Sequence, residues 1–262
     1  MKCKICFENA SFFTTENIMP QKFKAHYYLC HNCEYLFIDK PNWLEISYSE
    51  AITDSDIGLV NRNARLSVIT YAIIRLFFKQ EKQFLDYAGG YGLFVRKMRN
   101  LGLNFFWQDK YAKNLFAKTF SAEENNIKNY GLITAFEVME HLEDPIKELE
   151  KLFNLSNNIL ISTELLPEHK PKPNEWHYFA LEHGQHIGFF SRKTMEFIAH
   201  KYGFNYYTNE SDIHLFTKKK ISKILFKLVM RFKFSLLYRY VFKLKSLQEA
   251  DQAKMIKYQK AS

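Results

Sequence analysis

The chain has 262 residues, 47% of them hydrophobic, enough for one substantial core with an appendage. Its apolar runs, such as 66–74, fall short of the roughly 18 to 20 uncharged residues of a membrane span, and the N-terminal Met1-Lys2-Cys3-Lys4 lacks the apolar stretch of a signal peptide, so a cytoplasmic protein is expected. The net charge of +9 is concentrated in residues 218–262, which hold 13 Lys/Arg against 2 Asp/Glu, so the nearly neutral body does not have the basic surface of a nucleic-acid binder.

All four cysteines lie before residue 34, as the CxxC pairs Cys3/Cys6 and Cys30/Cys33. This is the spacing of a zinc ribbon, and four thiolates leave no open position on the ion, so residues 1–40 are expected to form a module around structural Zn2+. Two disulfides are the alternative, but no secretory feature supports them. Residues 41–80 are expected to be a helical cap: Pro41 opens the segment, and Leu66, Ile69, Ile73, Leu76 and Phe77 recur at helical spacing. The polar stretch ahead of that helix offers Tyr48 and Arg62 as substrate contacts, unless it is a solvated connection.

Residues 81–217 read as strand and helix in alternation. Phe84 to Asp86 is a short apolar strand, and the small residues Ala88, Gly89, Gly90 and Gly92 follow before an amphipathic helix with Phe94, Val95 and Met98. Such a turn exposes main-chain N–H groups and a helix N-terminus to a nucleotide-like ligand. A second strand, 104–107, leads to Asp109, placed where an α/β nucleotide-binding unit puts a ribose-binding acid. Strand 132–136 is followed by Glu137-Val138-Met139-Glu140-His141, then a helix opened by Pro145, then strand 158–163. The rhythm predicts a parallel sheet with helices on both faces. Regular pattern stops between Leu166 and Phe190, where His169, His177, His183 and His186 gather with Trp176 and Tyr178; long loops of this kind carry substrate sites. Ser191 caps a further helix that Gly203 ends, and strands 204–207 and 213–217 close the domain.

From Ile221 the tail becomes amphipathic, with Ile224, Leu225, Leu228, Val229 and Phe232 beside Lys223, Lys227 and Arg231. It is expected to pack on the domain or a second subunit, or to lie on an anionic membrane face.

The glycine turn, Asp109 and the block from Phe136 to Pro145, in that order, resemble the class I S-adenosylmethionine-dependent methyltransferases. The resemblance implies an α/β, Rossmann-like sheet with a zinc ribbon before it and amphipathic helices after it. Asp86, Ala88, Gly89, Gly90 and Gly92 would then face the methionine part of the cofactor, Asp109 its ribose, and Phe136 and Glu137 its remaining surface. Glu137 and His141 serve equally well as loop-bonding groups. Ala88 stands where the family has glycine, and a negative φ is expected there. The CxxC pairs narrow the likeness to bacterial sugar and surface-polysaccharide methyltransferases, some acting on nucleotide-activated sugars. In that likeness His186 falls on the position of a histidine base, with Gln185 in place of a glutamate and His183 and His141 in reserve. The short tail, instead of a further domain, favours O- over C-methylation. Trp176 and Tyr178 are candidates to stack on a sugar or base. The histidine spacing argues against a second, catalytic metal. C- or N-methylation and RNA modification are alternatives; an NAD-linked enzyme is disfavoured because Val95 occupies the third glycine of GxGxxG.

Overall fold

The computed structural model describes residues 1–19, 21–47 and 57–261. In chain order the elements are β1 (Ala10–Ile18), β2 (Phe23–Cys30), β3 (Leu36–Ile38), α1 (Leu44–Ser47), α2 (Leu59–Phe77), β4 (Phe84–Tyr87), α3 (Leu93–Asn100), β5 (Phe105–Gln108) and β6 (Leu132–Phe136). They continue with α4 (Pro145–Leu155), β7 (Asn158–Ser162), β8 (Gly188–Phe189), α5 (Arg192–Lys201), β9 (Asn205–Thr208), β10 (Ile213–Thr217), α6 (Lys223–Val229), α7 (Phe232–Val241) and α8 (Gln248–Ala261). One sheet has the order β1-β2-β3-β8 and the other β5-β4-β6-β7-β10-β9. Helices and a central sheet of this kind make the α/β, Rossmann-like architecture expected. The final pair departs from it, because β9 and β10 run antiparallel. Among the described residues no helix is long and apolar enough to cross a membrane.

Contacts divide the chain into two compact units. The first comprises Met1–Thr53, Phe136–Phe153 and Ile161–Lys219. Its β1–β2 hairpin is an antiparallel ladder, and β3 is joined by β8 with Leu36 opposite Phe189. Tyr27, Leu36, Ile38 and Trp43 share a core with Leu166, Phe179, Ile187 and Phe189. The cysteine module therefore does not close on itself at residue 40. Its apolar face is completed by the loop that carries the histidines, and a hairpin this small needs such cover to be stable. Helix α5 is held at its start by Ser191, whose Oγ accepts from the Thr194 N–H at 3.1 Å.

The second unit comprises Asp54–Ala135, Asn154–Leu160 and Lys220–Ser262. Strand β4 lies in parallel between β5 and β6, with Asp86 opposite both Trp107 and Thr134. The chain leaves β4 for one neighbour and returns on its other side, which makes the end of β4 a topological switch point, where ligands of open α/β sheets bind. Helix α2 buries Leu66, Ile69, Ile73 and Phe77, each worth roughly 1.5 to 3 kcal/mol of transfer free energy.

The tail docks within this unit as two short helices and α8, not as one stripe. Chain direction breaks between Val229 and Phe232, Ile224 is 83% exposed, and Phe226 and Val229 are the buried side chains of α6. Helix α7 packs along α2, and the Tyr71 hydroxyl donates to the Phe242 carbonyl at 2.6 Å. Helix α8 is pinned by Asp251, whose two oxygens accept from Arg99 Nη2 at 2.7 Å and Nε at 2.8 Å. Arg96 adds a third bond at 2.6 Å. Burial pushes the Asp251 carboxyl up, but these guanidinium bonds outweigh it and hold the acid below its ordinary value.

Candidate active site

In the second unit, β4 delivers Asp86 and then a turn that almost any side chain would obstruct. A Cβ on Gly89 would lie 2.6 Å from Asp86 Oδ2, and Gly92, at φ 83°, would bring one to 2.9 Å from Asn114 Oδ1. Gly90 is different: at φ 52° nothing lies within 4 Å of where its Cβ would be, so its backbone borders open space. Ala88 also has a positive φ, 52°, which overturns the expected negative value. The turn needs a left-handed residue there to bring Gly89 N–H onto the Gln108 carbonyl at 3.1 Å, and alanine adopts that conformation under strain. Ala88→Gly is accordingly expected to stabilise the chain by about 1 kcal/mol in denaturant melts, without loss of cofactor affinity.

Asp109 ends the strand beside this turn and organises it. Its Oδ2 accepts the Gly90 N–H at 2.9 Å, and its Oδ1 accepts those of Tyr111 and Ala112 at 2.8 and 2.7 Å. A carboxylate offers about four lone-pair sites, so capacity for a ribose hydroxyl is left. Asp86 is 3% exposed and accepts from Thr134 Oγ1 at 2.7 Å. Burial, opposed by that bond and reinforced by Asp109, pushes its carboxyl up to about 7. Arg62, half-buried on α2, belongs to this unit too, whereas Tyr48 lies outside the described residues.

The first unit holds the other candidates. Phe136 is half-buried at the end of β6. Glu137, at φ 53°, is tied to Ser162: its N–H donates to Ser162 Oγ at 3.0 Å, and that hydroxyl donates to its carboxylate. A single 3-10 turn, Met139–His141, follows and carries Glu140 and His141. The Ile187 N–H donates to the Glu140 carbonyl at 2.8 Å, and His141 Nδ1 meets the Gln185 carbonyl at 3.0 Å. The loop is fixed further by Gln185 Nε2, which donates to the Ser47 carbonyl at 2.6 Å, and by the Trp43 indole, which donates to the Gly184 carbonyl at 2.8 Å.

These bonds bring three predicted histidines together. Ring centroids of His141 and His186 are 4.9 Å apart, and those of His183 and His186 5.4 Å. His186 Nδ1 lies 2.6 Å from the Tyr178 carbonyl. A carbonyl only accepts, so Nδ1 carries the proton and Nε2 keeps its lone pair. Burial, followed by the neighbouring His141, holds His186 well below its ordinary value, and the ring is neutral at physiological pH. His183 Nδ1 accepts the Gln185 N–H at 3.2 Å, which places its proton on Nε2 when neutral and suits it less to a base. His177 stays apart, 77% exposed, against Glu164 at 3.3 Å.

Tyr178 is 6% exposed, its hydroxyl 3.1 Å from Thr163 Oγ1, and Trp176 leans on Tyr178, Phe179 and Phe189. Stacking on a sugar, expected of both, is not open to Tyr178, whose ring is part of the core. Missed by sequence reasoning was Glu140, 0% exposed, with no well-formed hydrogen bond on either carboxylate oxygen among the described residues and the Tyr178 hydroxyl near it. The motif containing it was visible; its burial beside two histidines was not, because His186 lies 46 residues further on.

The four cysteines are free and clustered, with ligand atoms all within 4.8 Å of one another. Sγ atoms of Cys3 and Cys33 are 3.6 Å apart and those of Cys6 and Cys30 3.4 Å, too long for S–S bonds and close to the roughly 3.8 Å edge of a tetrahedral site with 2.3 Å Zn–S bonds. The hydrogen bond with Cys33 draws Cys3 down to about 5 and pushes Cys33 up, as expected of thiols sharing a proton that a cation would displace.

A family model described as a methyltransferase domain matches residues 61–209, more than half of the chain. No curated protein matches the sequence significantly. Among solved structures, PigF with S-adenosylhomocysteine aligns at 14% identity and TM-score 0.44, over 68% of this chain and 62% of that one. The methyltransferase domain of bacterial CtHen1-CN aligns at 20% identity and TM-score 0.41, over 59% of this chain and 98% of that one. Human N-acetylserotonin methyltransferase in complex with S-adenosylmethionine aligns at 15% identity and TM-score 0.42, over 68% and 66%. The aligned part thus spans less than two thirds of PigF and of the human enzyme.

Proposed function

This chain belongs to the methyltransferase-domain family and is an S-adenosylmethionine-dependent methyltransferase by family and fold; from that premise we propose that it methylates a hydroxyl of a sugar or nucleotide-activated sugar in bacterial surface-glycan biosynthesis. The observation that carries the oxygen acceptor is the imidazole of His186, neutral and oriented with its Nε2 lone pair available. An amine attacks a sulfonium methyl without prior deprotonation, whereas a hydroxyl is a poor nucleophile until its proton leaves. The sugar is favoured by the cysteine module ahead of the domain, as in the sugar methyltransferases the sequence resembles.

In this reading bound S-adenosylmethionine would supply an electrophilic sulfonium methyl, whose carbon–sulfur electron pair would leave on sulfur as the acceptor oxygen attacks. His186 Nε2 would take the hydroxyl proton. Alignment of the two reactants supplies much of the remaining acceleration. Asp109 would hold the ribose and Asp86 the cofactor's ammonium end, and Cys3, Cys6, Cys30 and Cys33 would hold a structural Zn2+ that keeps the first unit in shape. We place the protein in the cytoplasm. The exposed Ile224, Leu237, Tyr240 and Val241, with Lys223 and Arg231 nearby in the chain, would serve self-association or contact with a membrane face.

The test is incubation with methyl-labelled cofactor and a panel of nucleotide sugars. Expected is a product heavier by one CH2 on a sugar oxygen; transfer to amines or RNA alone would sink the acceptor assignment. Asp86 gives the cofactor step a pH signature. Its folded value, near 7, is raised, so the free chain holds the acid largely protonated below that pH. Binding the cationic ammonium favours the ionised form, and affinity for S-adenosylhomocysteine should rise between about pH 5.5 and 7.5, approaching tenfold per unit at the acid end. Asp86→Asn should flatten that profile; a profile unchanged by the substitution would assign the titration to another group.

A further inference from the structure

We propose that Glu140, His141 and His186 form a binding site for a divalent first-row transition-metal ion, separate from the four-cysteine centre. The three side chains offer one carboxylate oxygen and two imidazole nitrogens, all within 4.8 Å of one another. A filled site at about 2.1 Å would draw such pairs to roughly 3 to 3.5 Å, a movement within reach of side-chain rotation.

The first argument is the state of Glu140. It is 0% exposed, and among the described residues neither of its oxygens makes a well-formed hydrogen bond, the Tyr178 hydroxyl being its near polar neighbour. Buried carboxylates are paired, hydrogen-bonded or coordinate metals, and this one stands beside two imidazoles. The second is the way the histidines are held. His141 Nδ1 and His186 Nδ1 each face a backbone carbonyl, of Gln185 at 3.0 Å and Tyr178 at 2.6 Å. Each Nδ1 therefore donates, which leaves Nε2 as the nitrogen that would ligate an ion. Metal-ligating histidines are oriented by this same outer-shell arrangement. The third is rigidity: the Ile187 N–H to Glu140 carbonyl bond and the Trp43 bond to Gly184 fix both ligand-bearing segments before any ion arrives.

The donor set, two imidazoles and one carboxylate with further positions open, suits Mn2+, Fe2+, Co2+ or Zn2+ and lacks the thiolates that select soft ions. This inference rests on the hydroxyl-acceptor reading only for its consequence. With the ion bound, His186 Nε2 gives its lone pair to the metal, and an acceptor hydroxyl entering an open position would be acidified by the cation and lose its proton to solvent, in place of transfer to the imidazole.

Mn2+ is the probe, because it disfavours the tetrathiolate centre, and its binding to the full chain can be followed by the loss of the free-ion paramagnetic resonance signal. Expected is one Mn2+ per chain, with affinity lowered at least tenfold in both Glu140→Gln and His141→Ala. Glu140→Gln is close to isosteric and should melt near the parent, and both variants should keep the parent's zinc content and circular dichroism as evidence that the first unit is intact. No Mn2+ bound by the parent, or binding that survives both substitutions, would overturn the site. Because the readout is metal binding, the site is tested apart from the acceptor: a chain that binds Mn2+ and methylates no hydroxyl contradicts the hydroxyl acceptor, and one that binds Mn2+ and methylates a hydroxyl replaces His186 as base by the cation.

Discussion

His186→Asn is expected to lower kcat by about 10² to 10⁴, the usual contribution of a positioned base, while S-adenosylhomocysteine affinity stays within about twofold. The two effects separate because the glycine turn and Asp109 are built in one compact unit and the histidine cluster in the other. Asparagine keeps an amide donor near the Tyr178 carbonyl and removes only the Nε2 lone pair. Equal loss of turnover and of cofactor binding would mean that the residue holds the fold and does not act on the acceptor. The pH profile adds a sign. Burial lowers His186, so it remains a competent neutral group well below pH 6.5, and the acid limb of kcat should lie on the acidic side of an ordinary histidine. A parallel titration with a chelator divides base from ligand: turnover restored by Mn2+ after chelation would identify the lone pair as a metal donor.

Loss of the tetrathiolate centre is expected to have the largest effect on stability. Metal binding to a four-cysteine site contributes on the order of 10 kcal/mol where folding and binding are coupled. Here the hairpin it closes shares a core with Phe179, Ile187 and Phe189, so the histidine loop should be lost with it. Purified chain should carry one zinc. A strong chelator, or Cys33→Ser, should lower Tm by more than about 10 °C and abolish turnover. Full stability after removal of all zinc would show that the apolar core alone holds the unit and that the cysteines serve some other purpose.

Local features were legible from the sequence because they depend on neighbours in the chain. Strand β6 matches its expected bounds from Leu132 to Phe136, Pro145 opens α4, and Ser191 caps α5, since alternation, proline geometry and capping act over a few residues. The φ of Ala88 was not legible: it follows from where Gln108, on the adjacent strand, puts its carbonyl. Nor was the extent of the cysteine module, because β8 joins its sheet from residue 188. In the tail, periodicity found the helices but not their partner. The attachment of α8 depends on Asp251 meeting Arg99, 152 residues away in sequence. The histidine cluster shows the same limit. Each member was visible, but the buried Glu140 beside two of them becomes apparent only when the loop is folded over it.

The central claim, an S-adenosylmethionine site built on the turn after β4, is tested most directly by isothermal titration with S-adenosylhomocysteine. One site per chain with micromolar affinity is expected, weakened roughly 10- to 100-fold in Asp109→Ala, which removes the charged acceptor for the ribose hydroxyls. Absence of heat with the parent chain, or affinity indifferent to Asp109, would contradict it.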